Sequence, residues 1–267
     1  MTRCTLVSAF FPIKSKFPPE YYLHWGQTFL SLDTPLVLFT TKELTPLFKE
    51  KRGSKPTLVI QMEFEELDTW RLYKDNWIMN HSFDPEQAIH SPELYAIWAQ
   101  KAFFVEKAVH MNDFSTEYFF WCDFGAFRNP SINPQILRSF PDPKYLSERK
   151  ILLQSIQNLD SADKIVGSDG IPGCASLIRK DRIVGGLWGG GSAACLRWKA
   201  AYQEMLEAFF AAGRFAGKDQ TVMLSTFLKN PSLASVVECT RPGIDAWFFL
   251  ENLLSDEPNI YKINTSY

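Results

Sequence analysis

The sequence predicts an α/β fold: a largely parallel central sheet flanked by helices, in a single domain. Three observations predict it. Short apolar runs alternate with amphipathic stretches along the chain, the order that layers helices onto a parallel sheet. Residues 5–62 read strand–helix–strand–helix–strand, a nucleotide-binding type of half-domain. No internal repeat and no Gly-, Ser- or Pro-rich linker breaks the series of 267 residues.

The elements follow in order. Thr5 to Phe11 is an apolar run stopped by Pro12, and Glu20 to Leu32 has helical periodicity. Pro35 to Thr40 is the second strand, Lys42 to Lys51 a short helix closed by Gly53, and Thr57 to Met62 the third strand. Residues 63–90 are aromatic and charged, with mixed signals. Ser91 to Met111 is the clearest helix: Ser91 suits the cap, Pro92 the first turn and Glu93 the positive end of the dipole. Tyr118 to Cys122 is five consecutive apolar residues, the mark of a strand buried on both faces. Ile151 to Gln154 reads as a further strand. Ala193 to Ala212 and Asp219 to Leu228 read as helices, stopped by Gly213 and by Asn230-Pro231. Ser235 to Cys239 is a late strand, followed by an aromatic stretch at Trp247-Phe248-Phe249.

Composition narrows the class. With 46% hydrophobic and 15% aromatic residues the chain is not disordered. Lys and Arg (28) nearly balance Asp and Glu (30) and are interspersed, so no basic face for nucleic acid is expected. No run reaches the roughly 18 apolar residues of a membrane helix, and the N-terminal apolar run is too short for a secretory signal. Five dispersed cysteines (Cys4, Cys122, Cys174, Cys195, Cys239) with no CxxC pair argue against a disulfide framework or zinc cage. A soluble cytoplasmic protein with reduced thiols is expected.

Four features carry chemistry. Asp123 stands just after the Tyr118–Cys122 strand, where ligands of open α/β sheets bind. It would grip a ribose hydroxyl or a divalent cation, with Gly125 allowing close approach, or else simply cap a turn. Asp123-Phe124-Gly125 also spells a kinase triplet, but the other kinase elements are missing. At about 100° per residue, Lys101 falls only about 20° beyond the apolar arc of its helix. Its ammonium must either snorkel to water or meet an anion such as a phosphate or Asp123. The run Gly185-Gly186-Leu187-Trp188-Gly189-Gly190-Gly191 is neither Walker A nor GxGxxG. It reads as backbone packed close to a ligand with Trp188 stacking on a sugar or base, or as a tight turn with a core tryptophan. Asp219 reads as the N-cap of its helix, or as a general base or nucleophile. The four histidines have no metal-type spacing, and no GxSxG elbow supports serine hydrolase chemistry.

The segments TLVSAFFPI, PLVLFT, YAIWAQKAFFVEKAV, EYFFWCDFGAFR, GGLWGGG and GKDQTVM occur in that order. Their combination resembles the bacterial HtrL/YibB-like, or WlaTC-type, family, including a W-x-D-x-G-x-x-R signature at Trp121, Asp123, Gly125 and Arg128. That resemblance implies a glycosyltransferase of GT-A fold. The nucleotide-binding half would span about 1–125 and the sugar- and acceptor-binding half about 126–267. The later half is also similar to blood-group-type galactosyltransferases. By that likeness Ser8, Ala9 and Phe10 border the base, and Asp123 touches ribose or metal. Gly186, Trp188, Gly189 and Gly190 line the sugar pocket with Gln220, and Asp219 sits near the reacting carbon. One departure matters: GT-A enzymes commonly carry Asp-x-Asp, and Gly125 replaces the second acid here. Either Asp123 alone helps hold Mn²⁺ or Mg²⁺, or Lys101 and Arg128 neutralise the leaving diphosphate. The expected reaction moves a sugar from a nucleotide sugar, of UDP type, to a glycan hydroxyl. Asp219 is the base if the configuration inverts. A silent nucleotide- or glycan-binding module is the alternative, and a nucleotidyltransferase would want paired carboxylates for its metals.

Overall fold

The computed structural model describes residues 4–128, 140–172, 181–239 and 245–255; Cys174 lies outside them. The strands are β1 (Cys4–Phe10), β2 (Leu36–Thr40), β3 (Thr57–Gln61), β4 (Tyr118–Cys122), β5 (Ile151–Ser155), β6 (Leu187–Gly191) and β7 (Ala234–Glu238). The helices are α1 (Pro19–Ser31), α2 (Thr45–Arg52), α3 (Asp68–His81), α4 (Pro92–Met111), α5 (Ser192–Ala211), α6 (Asp219–Lys229) and α7 (Phe249–Leu253).

The strands form one mostly parallel sheet in the order β3-β2-β1-β4-β6-β5-β7. Only β6 runs against its neighbours β4 and β5. The order β3-β2-β1-β4 is Rossmann-like, and it reverses direction at β1. At such a switch point, loops leaving the carboxyl ends of adjacent strands diverge and open a crevice. Here the crevice opens where Phe10 ends β1 and Cys122 ends β4.

Alternation along the strands divides the core. Val7, Phe119 and Trp121 pack with α3, α4, α5 and α6 on one face. Leu6, Phe120 and Cys122 pack with α1, α2 and α7 on the other. Asp123 continues the series of Phe119 and Trp121 and so emerges on the α4 side. α4 starts as its sequence directs: Ser91 caps it, accepting the Leu94 amide at 3.3 Å, and Asn112 ends it in the left-handed region (φ 39°).

Two elements depart from the sequence reading. α3 occupies the stretch of mixed signals; it is kinked at Tyr73 (φ −129°), which breaks the helical periodicity of its sequence. The glycine-rich run is in large part a strand, β6, hydrogen-bonded between β4 and β5.

Candidate functional site

The centre of the crevice is a buried ammonium between two carboxylates. Lys101 is 6% exposed. Its Nζ lies 3.1 Å from Asp123 Oδ1 and 2.9 Å from Asp219 Oδ2, and it donates to the Gly185 carbonyl at 3.1 Å. α4 delivers the lysine, the end of β4 delivers Asp123, and the start of α6 delivers Asp219. Of the two fates the sequence left open for Lys101, the structure takes the anionic partner. Burial alone would push the Lys101 pKa down, but Asp123 and Asp219 outweigh it and hold it above its ordinary value.

Asp123 is further fixed by the Trp121 indole N–H at 2.7 Å, and its amide donates to the Gly186 carbonyl at 2.8 Å. Its side chain stays 43% exposed to the crevice. Asp219 is not a cap. Lys218 holds the N-cap position and Asp219 is the first helical residue, its Oδ1 accepting the Gln220 amide at 2.9 Å. Burial raises the Asp219 pKa, Lys101 opposes that, and Asp123 adds to it. One ammonium against two carboxylates leaves the cluster one negative charge in surplus. Asp123, with its open flank, is the carboxylate positioned to share a divalent cation with a phosphate group, since such ions are commonly held by one or two carboxylates plus substrate phosphates.

Two adjoining cavities meet at this cluster. One, of about 420 Å³, is walled by aromatic residues of the β1–α1 segment and by Trp25 and Trp98. The other, of about 560 Å³, is more polar and includes Gly185, Gly186, Lys218, Asp219 and Gln220. Lys16, Lys101 and Arg128 line both, placing three cations at the seam. Arg128 is exposed, with its guanidinium 5.4 Å from the Trp25 ring centre and 5.1 Å from that of Phe248.

Of the residues singled out from sequence, Lys101, Asp123, Gly125 and Arg128 line both cavities. Ala9 and Phe10 line the aromatic cavity, and Gly186, Asp219 and Gln220 the polar one. Ser8 does not reach either: it is fully buried within β1, because the switch point exposes only the last residues of the strand. Gly189 and Gly190 also lie off the cavity walls. A Cβ on Gly189 would stand 2.3 Å from the Phe119 carbonyl oxygen, and one on Gly190 2.6 Å from that of Lys150. Their small size lets strands close together. Trp188 is 2% exposed in the core and touches only a small internal void beside Lys101 and Asp219. Within the 185–191 run the glycines that face the crevice are Gly185 and Gly186, where a Cβ would meet the carboxylates of Asp219 at 2.6 Å and Asp123 at 2.9 Å.

Sequence reasoning passed over Lys16, Trp25, Trp98 and His90 as site residues. Trp98 had a signal, since it lies on the same helical arc as Lys101. Trp25 had none, because its partner Arg128 is remote in sequence. His90 belongs to a set with Asp84 and Glu86 whose donor atoms all lie within 4.8 Å of one another, a spacing that a metal ion could bridge. Those donors are already engaged: Glu86 pairs with Lys218 at 2.7 Å and Asp84 with His90 at 2.8 Å.

No helix among the described residues is long and apolar enough to cross a membrane. A family described as "Bacterial protein of unknown function (HtrL_YibB)" matches residues 3–250. Protein HtrL of Escherichia coli (strain K12) is 25% identical over 245 residues, covering 86% of this chain and 80% of that protein.

Proposed function

The chain belongs to the HtrL_YibB family, and we propose that it is a cytoplasmic GT-A-type glycosyltransferase that moves a sugar from a nucleotide sugar, of UDP type, to a glycan hydroxyl. The observation that carries this reading is the position of Lys101: a buried ammonium at the seam of an aromatic and a polar cavity, beyond the carboxyl end of a central strand.

In this reading the base lies in the aromatic cavity and the ribose against Asp123. The diphosphate crosses the seam past Lys16, Lys101 and Arg128, and the sugar enters the polar cavity beside Gly185, Gly186 and Gln220. As the acceptor oxygen bonds to the anomeric carbon, the bond from that carbon to the diphosphate breaks and the diphosphate takes the electron pair. The developing charge falls beside Lys101, a buried and preorganised cation, and within reach of Lys16 and Arg128 on the cavity walls. Lys101 needs no reorganisation, because Asp219 and Asp123 already hold it. Asp219 Oδ1 accepts the Gln220 amide and Oδ2 pairs with the Lys101 ammonium, so its role is to hold the ammonium and face the sugar. A divalent cation at Asp123, of the Mn²⁺ or Mg²⁺ type, would add charge neutralisation of the diphosphate. Buried, protonated Cys4, Cys122 and Cys195 support a reducing compartment.

The test is release of the nucleotide (UDP, GDP or CMP) from a panel of UDP-, GDP- and CMP-sugars by wild type and Asp219→Asn. Selective release from one donor, reduced in the variant, supports the reading. Nucleotide binding with no turnover, with or without glycan acceptors, would instead mark a silent binding module.

A further inference from the structure

A second polar device faces the crevice from the loop before α4. His90 lines both cavities although it is only 7% exposed. Its Nδ1 lies 2.8 Å from Asp84 Oδ2. That carboxylate is itself saturated: Oδ1 accepts the Glu86 amide at 2.8 Å, and Oδ2 accepts the Tyr95 hydroxyl at 2.6 Å. With its proton committed to Asp84, Tyr95 accepts from His81 Nδ1 at 3.0 Å. A carboxylate taking this many donors is ionised and can only accept. Nδ1 of His90 therefore donates to Asp84, and in the neutral ring that leaves the lone pair on Nε2. The ring is held edge-to-face against Trp98, with centres 5.1 Å apart, so it cannot turn freely.

We propose that His90, oriented by Asp84, is the general base that takes the acceptor's proton. The proposal rests on the glycosyl-transfer reading. The acceptor O–H proton passes to His90 Nε2 as its oxygen bonds to the anomeric carbon. The nucleoside diphosphate leaves with its electron pair, and the imidazolium later returns the proton to solvent. This is a single displacement, so the anomeric configuration inverts. His90, in the loop before α4, and Lys101, within it, both line the two cavities. Acceptor and donor sugar thus have room between base and leaving group. Asp84 is a positioning residue, as the carboxylate is in other Asp–His pairs. The charged and titratable groups around the ring are Asp84 and Glu86 on its own loop, His81 from α3 through Tyr95 of α4, and Lys218 before α6 through its pair with Glu86. Lys16, Lys101, Asp123 and Arg128 line the same two cavities, and Asp181, Asp219, Asp245 and Glu251 line the polar one.

Two measurements test this. Long-range ¹H–¹⁵N correlation on histidine-labelled protein reads the tautomer without any need for turnover. The expected state is Nδ1–H in wild type, lost in Asp84→Asn; an Nε2–H ring in wild type overturns the proposal. So does a His90 resonance that shifts on addition of diamagnetic Zn²⁺ at micromolar concentration, in wild type and in Asp123→Asn alike, which would mark Asp84, Glu86 and His90 as a metal site. Transfer kinetics are then compared with UDP binding for wild type, His90→Gln and Asp84→Asn. His90→Gln should keep UDP affinity within about twofold and lose about 10²- to 10⁴-fold in turnover, and its residual rate should no longer fall in acid. Asp84→Asn should lose on the order of 10²-fold or more. A fully active His90→Gln enzyme with an unchanged pH profile, or a product of retained configuration, overturns the role of His90 alone. Absence of nucleotide binding by wild type removes the transferase reading itself, and this proposal with it.

Discussion

Lys101 Nζ stands 2.9 Å from Asp219 Oδ2, and each of the two side chains is about 7% exposed. Helices far apart in the chain thus meet through one buried ion pair, and the crevice takes its charge pattern from that contact. Removing one partner of such a pair strands the other charge in a poorly solvated place.

Lys101→Met should destabilise the protein by about 3–5 kcal/mol and abolish donor turnover. The double variant Lys101→Met/Asp219→Asn removes the stranded carboxylate and should recover a large part of the stability and none of the activity. Denaturant unfolding of the single and double variants checks both points through their coupling.

The glycines of the 185–191 run should separate by substitution. Gly186→Ala places a methyl 2.9 Å from Asp123 Oδ2, the end of a side chain that can move. It should fold normally and lose activity. Gly189→Ala places a methyl 2.3 Å from a backbone carbonyl oxygen, and should cost about 1–3 kcal/mol or more through overpacking. Thermal melts and turnover on the two purified variants give the comparison.

That contrast explains what was legible in the sequence. The β4 strand, Asp123 and the inward lean of Lys101 followed from an apolar run and a helical arc, both local patterns. The glycine run did not resolve, because a glycine needed for strand contact and one needed beside a carboxylate look alike without the register of β4 against β6. Ser8 was misplaced for a related reason: how far a strand stays buried depends on its neighbours. The pairing of Asp84 with His90 is set by the loop between α3 and α4, and nothing in the spacing of the histidines announced it.

Arg128→Ala should weaken nucleotide binding by about tenfold and lower the melting temperature only slightly, since the side chain is exposed, lies against the faces of Trp25 and Phe248, and its charge favours the ionised form of buried Glu251. Arg128→Lys should not restore affinity, because a lysine lacks the planar fork. Calorimetric titration with UDP reads both variants.

Thiol chemistry should follow burial. Burial pushes the Cys195 thiol up to about 12, and Cys4 and Cys122 lie well above their ordinary value. At pH 8 these three should resist iodoacetamide until the chain unfolds, as peptide mass spectrometry would show. Above the ordinary thiol value of 9.0 the unfolded chain sheds these protons and the folded one keeps them. Stability from this source is therefore intact below that pH and declines as pH rises past it.

The central claim is that Lys101 stabilises a departing nucleoside diphosphate. It is tested most directly by release of UDP, GDP or CMP from the corresponding nucleotide sugars, with glycan acceptors and with and without Mn²⁺, by wild type and Lys101→Gln. The account predicts selective release from a UDP-sugar by wild type and a loss of at least about 10²-fold in a folded Lys101→Gln protein. It also predicts that any gain from Mn²⁺ is lost in Asp123→Asn. A Lys101→Gln protein that turns over donor as fast as wild type would contradict it, as would a wild type that binds no nucleotide.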